Sequence, residues 1–249
     1  GDSTITLTGK VESRPYIDLT LSALADFGVT ARWLDERRLA VPGGQHYRPC
    51  PYRVEGDYSQ AAFPAVLGAV RGGVTVTGLR PDSLQGDAAI LDILARCGAN
   101  FTRTGDEVRF EASPLRATAI DLAACPDLGP ILMVLGLFCE GDTVITNAGR
   151  LRIKESDRIA AMQEELAKFG GQVLAEGETV TVKGLGGALC APTRPLNSHN
   201  DHRVAMALAI AAWAAGLPAC LEDAGAVAKS WPTFFTDMAQ GLDARWQEA

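Results

Sequence analysis

Self-similarity at a fixed period restricts a chain to architectures built from copies of one unit, and this sequence repeats. Ala25-Asp26-Phe27-Gly28-Val29 is followed by Arg38-Leu39-Ala40-Val41. Ala95-Arg96-Cys97-Gly98-Ala99 is followed by Glu107-Val108-Arg109-Phe110, and Ala167-Lys168-Phe169-Gly170-Gly171 by Thr179-Val180-Thr181-Val182. Each stretch reads as a helix closed by a glycine just past its end, then a β-hairpin. The glycines at 28, 98 and 170 set a period of about 70 residues, too long for a solenoid. A second strand recurs out of phase, after an apolar helix each time, at 72–77, 141–146 and 216–221. Written from its first strand the unit is βαβαββ. Packed α/β units with pseudo-symmetry follow.

The periodicity predicts a strand at 3–8, a helix at 15–27 and hairpin strands near 29–33 and 37–41. Helices are expected at 58–70, 86–97, 128–138, 154–169 and 199–215, with a last one from about 231. Between them lie strands at 73–77, 99–103, 107–111, 142–146, 172–175, 179–183 and 217–221. In 154–169 the apolar positions Ile159, Met162, Leu166 and Phe169 follow helical spacing. The helices 128–138 and 199–215 are apolar nearly all round and are expected at the centre. Pro42-Gly43-Gly44, Pro49 and Pro51 make 42–52 a turn-rich linker. The expected division therefore falls near residue 55, into 1–55, too short for a domain and reading as the last third of one, and 56–249.

Composition narrows the function. Hydrophobic residues make up 47% and charged residues 21% of the 249, ordinary for a globular protein with a sizeable core. The formal charge of -7 makes non-specific binding to nucleic acid or anionic membranes unfavourable, so an anionic ligand needs a local basic cluster. The most apolar stretch, 204–219, contains Gly216 and Pro218 and is shorter than the ~20 residues of a membrane span. The six cysteines form no CxxC pair, and several lie in apolar context, which predicts reduced residues of a cytoplasmic protein. With three histidines and no metal-ligand spacing, no metal or other cofactor is expected.

The informative charges stand at the starts of the buried helices. Arg150, Arg152, Lys154, Glu155 and Arg158 form one group, Asp201-His202-Arg203 another, and Lys229 precedes the last helix. Asp127 opens a further helix. A helix start carries free N–H groups and the positive end of the dipole, so a cation there is unfavourable for the helix alone. A shared anionic ligand would explain Lys154, Arg158, Arg203 and Lys229 together. Each also has a structural explanation. Asp127 can be an N-cap, Asp201 the far half of a capping box with Ser198, and Glu155 a partner for Arg158 at i, i+3. His202 can be a hydrogen-bonded core histidine and Trp231 a packing anchor.

These segments carry a family resemblance. Arg152-Ile-Lys-Glu-Ser-Asp-Arg158, Asn200-Asp-His-Arg203-Val-Ala-Met and Ala228-Lys229-Ser-Trp-Pro are similar to signatures of the 3-phosphoshikimate 1-carboxyvinyltransferase (EPSP synthase) family. So are Ser13-Arg-Pro-Tyr16-Ile-Asp, Gly56-Asp-Tyr-Ser-Gln-Ala-Ala-Phe63 and Pro126-Asp127. The match runs in order from about residue 8 to 240. The resemblance implies an inside-out α/β barrel of βαβαββ units about a pseudo-threefold axis, in two similar domains. It implies joining of the shikimate-3-phosphate 5-hydroxyl to C2 of phosphoenolpyruvate with loss of phosphate, in aromatic amino-acid biosynthesis. Asp127 and Lys154 would meet the shikimate hydroxyls, with Asp127 able to act as base. Glu155 would exchange a proton at the methylene carbon. Arg158, Arg203 and Lys229 would hold phosphoenolpyruvate, and Ser13, Arg14 and Tyr16 would face the shikimate phosphate. Such chemistry needs an acid and a base with separated pKa values.

The resemblance also implies that this chain is the C-terminal portion of the enzyme, inactive without the missing N-terminal portion. Arg150 stands where relatives can have Asn, and Gln60 where another Ser is common. Two other readings are a UDP-N-acetylglucosamine enolpyruvyl transferase and a non-catalytic ligand-binding or assembly fragment. Lys154 and Arg203 are expected exposed in a cleft.

Overall fold

The computed structural model describes residues 1–9 and 11–241. Residues 242–249, the end of the expected second domain, lie outside the described residues. The first stretch contains β1 (Ser3–Thr6), α1 (Arg14–Asp26), β2 (Arg32–Trp33) and β3 (Arg38–Val41). The strands form one antiparallel sheet in the order β1-β3-β2, with Ser3 opposite Val41. α1 buries none of its residues. Among the described residues of this stretch, Val29 and Leu39 alone are buried apolar residues.

The remainder is built from repeats. The first comprises α2 (Tyr58–Arg71), β4 (Val74–Val76), α3 (Ala89–Arg96), β5 (Asn100–Thr104) and β6 (Glu107–Glu111). The second comprises β7 (Ala119–Asp121), α4 (Gly129–Phe138), β8 (Asp142–Thr146), α5 (Arg158–Ala167), β9 (Gln172–Glu176) and β10 (Thr179–Lys183). This is a full βαβαββ unit. The third comprises β11 (Leu196–Asn197), α6 (His202–Ala215), β12 (Leu221–Glu222) and α7 (Phe234–Gly241). Within the second unit the sheet order is β7-β8-β10-β9, with β7 parallel to β8 and the rest antiparallel. β11 and β12 pair in parallel.

Three helices lie inside. α2, α4 and α6 pack on one another, and the sheets lie against their outer faces. All ten residues of α4 and twelve of the fourteen in α6 are buried, which explains why neither shows a polar face. Two glycines let strands approach the inner helices. A Cβ on Gly68 would lie 2.7 Å from Phe110 Cβ, and one on Gly136 2.9 Å from Val182 Cβ. The rings of Phe63, Trp213, Trp231 and Phe235 converge on Phe234, so Trp231 is a packing anchor.

Several boundaries differ from expectation. α5 begins at Arg158, not 154, because Asp157 caps it by accepting from the Ile159 and Ala160 N–H groups. α6 begins at His202, not 199, because His199 and Asn200 have positive φ and Asp201 is the cap. The strand expected at 217–221 is only β12, and the last helix starts at Phe234. β7 and β11 were not expected from the sequence. Lys154 therefore lies in the loop before α5, and Lys229 ends a 3-10 turn (Ala224–Lys229), so neither occupies a first helical turn.

Candidate active site

The starts of the three inner helices meet, and each carries an aspartate. Asp57, Asp127 and Asp201 are spaced by the repeat. Asp57 caps α2, accepting from the Ser59 and Gln60 N–H groups, and its carboxylate also takes the Ser59 hydroxyl at 2.6 Å. Asp201 caps α6 through the Arg203 N–H at 2.9 Å. Asp127 differs. It sits in a 3-10 turn (Pro126–Leu128) ahead of α4, which starts without a side-chain cap. The N-cap role anticipated for Asp127 is thus not realised, and its carboxylate faces cations instead.

Three cations reach Asp127. Lys154 Nζ lies 3.0 Å and Arg158 Nη1 3.1 Å from its Oδ1, and Arg203 Nη2 3.4 Å from Oδ2. Arg158 is almost completely buried and is saturated by carboxylates. Its Nε and Nη2 fork onto Asp201 at 2.8 and 3.3 Å, and Nη2 also meets Glu155 at 2.6 Å. The expected Arg158–Glu155 pair at i, i+3 is present. Asp201 is more than a cap, since it carries this fork and accepts the Ser156 hydroxyl at 3.1 Å. Buried charges are tolerated only when paired and hydrogen-bonded in this way. Lys229 closes the ring, 3.4 Å from Glu155.

Arg203 is less completely satisfied. Nη2 donates to Ser59 Oγ at 3.0 Å, while buried Nη1 has no hydrogen-bond partner among the described residues. Arg203 is buried and Lys154 half-buried, so the expectation that both are exposed is corrected. His202 is no satisfied core histidine, because its buried Nδ1 lacks a hydrogen-bond partner among the described residues. Burial, then Arg203, push its pKa down and favour the neutral ring.

Burial raises the Asp127 pKa, but Arg203, Lys154 and Arg158 outweigh it, and the carboxyl ionises below its ordinary range. Glu155 follows the same pattern: burial is opposed by its own backbone N–H, Arg158 and Lys229, and its pKa falls. Both carboxylates are therefore bases at neutral pH. The separated acid and base expected from the sequence are not these two groups.

The residues from the first stretch divide. The Tyr16 hydroxyl donates to Asp87 at 2.6 Å, and electrostatic coupling links it to Asp127 and Arg203. Ser13 hydrogen-bonds Arg150, whose Nε lies 3.5 Å from Glu12. Arg14 points elsewhere, its guanidinium 4.3 Å over the Trp33 ring and 3.8 Å from Asp18. The sequence reasoning missed Ser59, Asp87 and the ionic role of Asp201. Ser59 stands inside the Gly56–Phe63 segment with no role assigned to it by the sequence, and Asp201 reads there as a capping residue.

Among the described residues, one group carries metal-type donors. Glu164, Glu165 and His199 bring ligand atoms within 4.8 Å of one another. The Lys168 ammonium already holds both Glu165 oxygens at 2.8 and 2.9 Å, and the Asn197 N–H takes one at 2.9 Å. That arrangement is an ion-paired buried carboxylate.

The family model described as EPSP synthase (3-phosphoshikimate 1-carboxyvinyltransferase) matches residues 1–238. The chain belongs to this family. The curated 3-phosphoshikimate 1-carboxyvinyltransferase of Clostridioides difficile is 40% identical over 95% of this chain and 54% of its own length. That of Clostridium beijerinckii is 41% identical over the same shares. The chain thus spans about half the length of the curated EPSP synthases it matches. An EPSP synthase structure from Acinetobacter baumannii superposes with a TM-score of 0.82 at 24% identity, over 97% of this chain and 57% of that one. The enolpyruvyl transferase NikO from Streptomyces tendae gives 0.72 at 21%, over 96% and 55%. These likenesses confirm the enolpyruvyl transferase fold. No helix among the described residues is long and apolar enough to cross a membrane.

Proposed function

We propose that this chain supplies one wall of an enolpyruvyl transfer site, joining phosphoenolpyruvate to the 5-hydroxyl of shikimate-3-phosphate and releasing phosphate. One observation carries the reading: an uncapped, ionised Asp127 ringed by Lys154, Arg158 and Arg203. An ionised carboxylate that caps no helix, set among cations, suits removal of a hydroxyl proton while two anionic substrates are held. Asp127 takes the 5-hydroxyl proton as that oxygen bonds to C2 of phosphoenolpyruvate. The methylene carbon gains a proton from Lys229, which lies against Glu155. Glu155 then removes a proton from the resulting methyl as the C2–O bond to phosphate breaks. Arg203, with an unused buried nitrogen, and Arg158 hold the anion. Ser13 and Tyr16 face the shikimate phosphate; Arg14 would have to leave Trp33 to join them.

We further propose that residues 1–55 and 56–249 belong to different domains of this enzyme, and that turnover needs the part of the relatives this chain does not span. A place in aromatic amino-acid biosynthesis and a cytoplasmic location go with the same reading, in keeping with six unpaired cysteines.

The test measures phosphate release from the two substrates while the chain is titrated with the N-terminal portion of a close relative. Turnover only in the mixture is expected. Turnover by the chain alone would overturn the shared site. Silence in a mixture that gel filtration shows to be associated would overturn the reaction.

A further inference from the structure

The turn Gln85-Gly86-Asp87 lies outside the site residues foreseen from the sequence, yet it ties several parts of the chain together. Gln85 Oε1 accepts from the Tyr58 N–H at 2.8 Å, and its Nε2 donates to the Gly56 carbonyl at 2.9 Å. A Cβ on Gly86 would lie 2.2 Å from the Ala124 carbonyl oxygen and 3.4 Å from Pro15 Cβ, so glycine alone permits this approach. Asp87 is thereby carried beneath α1 and into the interior, where it is only 2% exposed. Its Oδ2 accepts the Tyr16 hydroxyl at 2.6 Å, while its buried Oδ1 has no hydrogen-bond partner among the described residues. An ionised carboxylate so poorly satisfied is unfavourable. Burial raises its pKa to about 6, against the lowering effect of the Tyr16 bond. The groups facing it are Tyr16 from α1, Asp57 from the start of α2, Asp127 and Cys125 ahead of α4, and Arg203 from α6.

We infer that Asp87 is a positioning residue that takes up a proton when ligand binds, freeing the Tyr16 hydroxyl to donate to the shikimate phosphate. This rests on the enolpyruvyl-transfer reading. A phenol has one hydrogen to give. Without ligand that hydrogen goes to Asp87. With a phosphate opposite, the hydrogen turns to the anion. The lone pairs of the Tyr16 oxygen then face Asp87, and two acceptors would confront each other. One proton from solvent resolves the clash: carboxylic acid donates to phenol oxygen, and phenol donates to phosphate. α1 buries no residue of its own, so this bond is what orients the Tyr16 ring.

The test compares variants in the reconstituted mixture by shikimate-3-phosphate KM against pH and by calorimetry in buffers of different ionisation heat. Wild type should bind more weakly as pH rises above about 6, taking up one more proton per ligand than Asp87→Asn does. The Asn amide donates permanently, so Asp87→Asn should keep its affinity and lose that pH dependence. The phosphate's own titration is common to both and cancels in the comparison. Asp87→Ala should raise that KM about tenfold, leave kcat and the phosphoenolpyruvate KM unchanged, and have no further effect in Tyr16→Phe. Equal proton uptake in wild type and Asp87→Asn, or additive Asp87→Ala and Tyr16→Phe effects, would overturn the inference. Carboxyl carbon NMR on the chain alone is independent of turnover. Tyr16→Phe should move the Asp87 midpoint upward from about 6, and an unmoved midpoint would overturn the contact even if the mixture proves inactive.

Discussion

The starts of α4 and α6 occupy equivalent places in the repeat, and their aspartates do different work. Asp201 is fully buried, caps its helix and forks onto Arg158. Asp127 caps nothing, stays 21% exposed at its side chain and meets three cations. The difference begins in the backbone. A 3-10 turn carries Asp127 ahead of its helix, whereas Asp201 is seated at the N-cap itself. A repeat thus offers one position several times, and capping consumes the chemistry of every copy but the one whose local turn breaks the pattern.

That contrast is open to attack by substitution. The largest effect is expected for Asp201→Ala, which removes a cap and leaves buried Arg158 without its fork; urea unfolding should show a loss of about 3–5 kcal/mol. Asp127→Asn should lower turnover of the reconstituted mixture about 10²–10⁴-fold while changing stability by no more than about 1 kcal/mol. If Asp127→Asn unfolds the chain and Asp201→Ala does not, the division of labour is reversed. Acid should weaken both. Both pKa values are lowered in the folded state, so their contribution is complete above the ordinary aspartate value of about 4 and lost as pH falls through the folded values. Unfolding midpoints measured from pH 6 down to 2 should therefore decline less steeply in Asp201→Asn than in wild type. The smallest effect, about 1 kcal/mol by thermal unfolding, is expected for Asp57→Ala, a cap with no buried cation of its own.

Much of this arrangement was legible in the sequence. The 70-residue grammar yielded the inner helices and placed β8 at 142–146, because continuous apolar runs and Val/Thr alternation are local signals. β7 and β11, three and two residues long, were illegible because only pairing with distant strands defines them. α5 is expected to start four residues too early because Lys154-Glu155-Ser156 has nothing against helix until Asp157 takes the cap. Of the site, Lys154, Glu155, Arg158, Arg203, Lys229 and Asp127 stood out as charges beside apolar runs, and the structure gathers them. Arg14 was carried by its motif alone, and stacking on Trp33 claims it in this structure. Asp87 left no trace, since an acid after Gln-Gly in a turn is ordinary until the fold buries it.

The all-round apolar character of α4 and α6 has a consequence for encounter. Because these helices have no polar flank, their charged groups are confined to one end of the barrel. The rest of a chain with a formal charge of -7 repels an approaching anion. Productive collisions are then those that reach this end, and the bimolecular association rate, far more than the residence time, should vary with ionic strength.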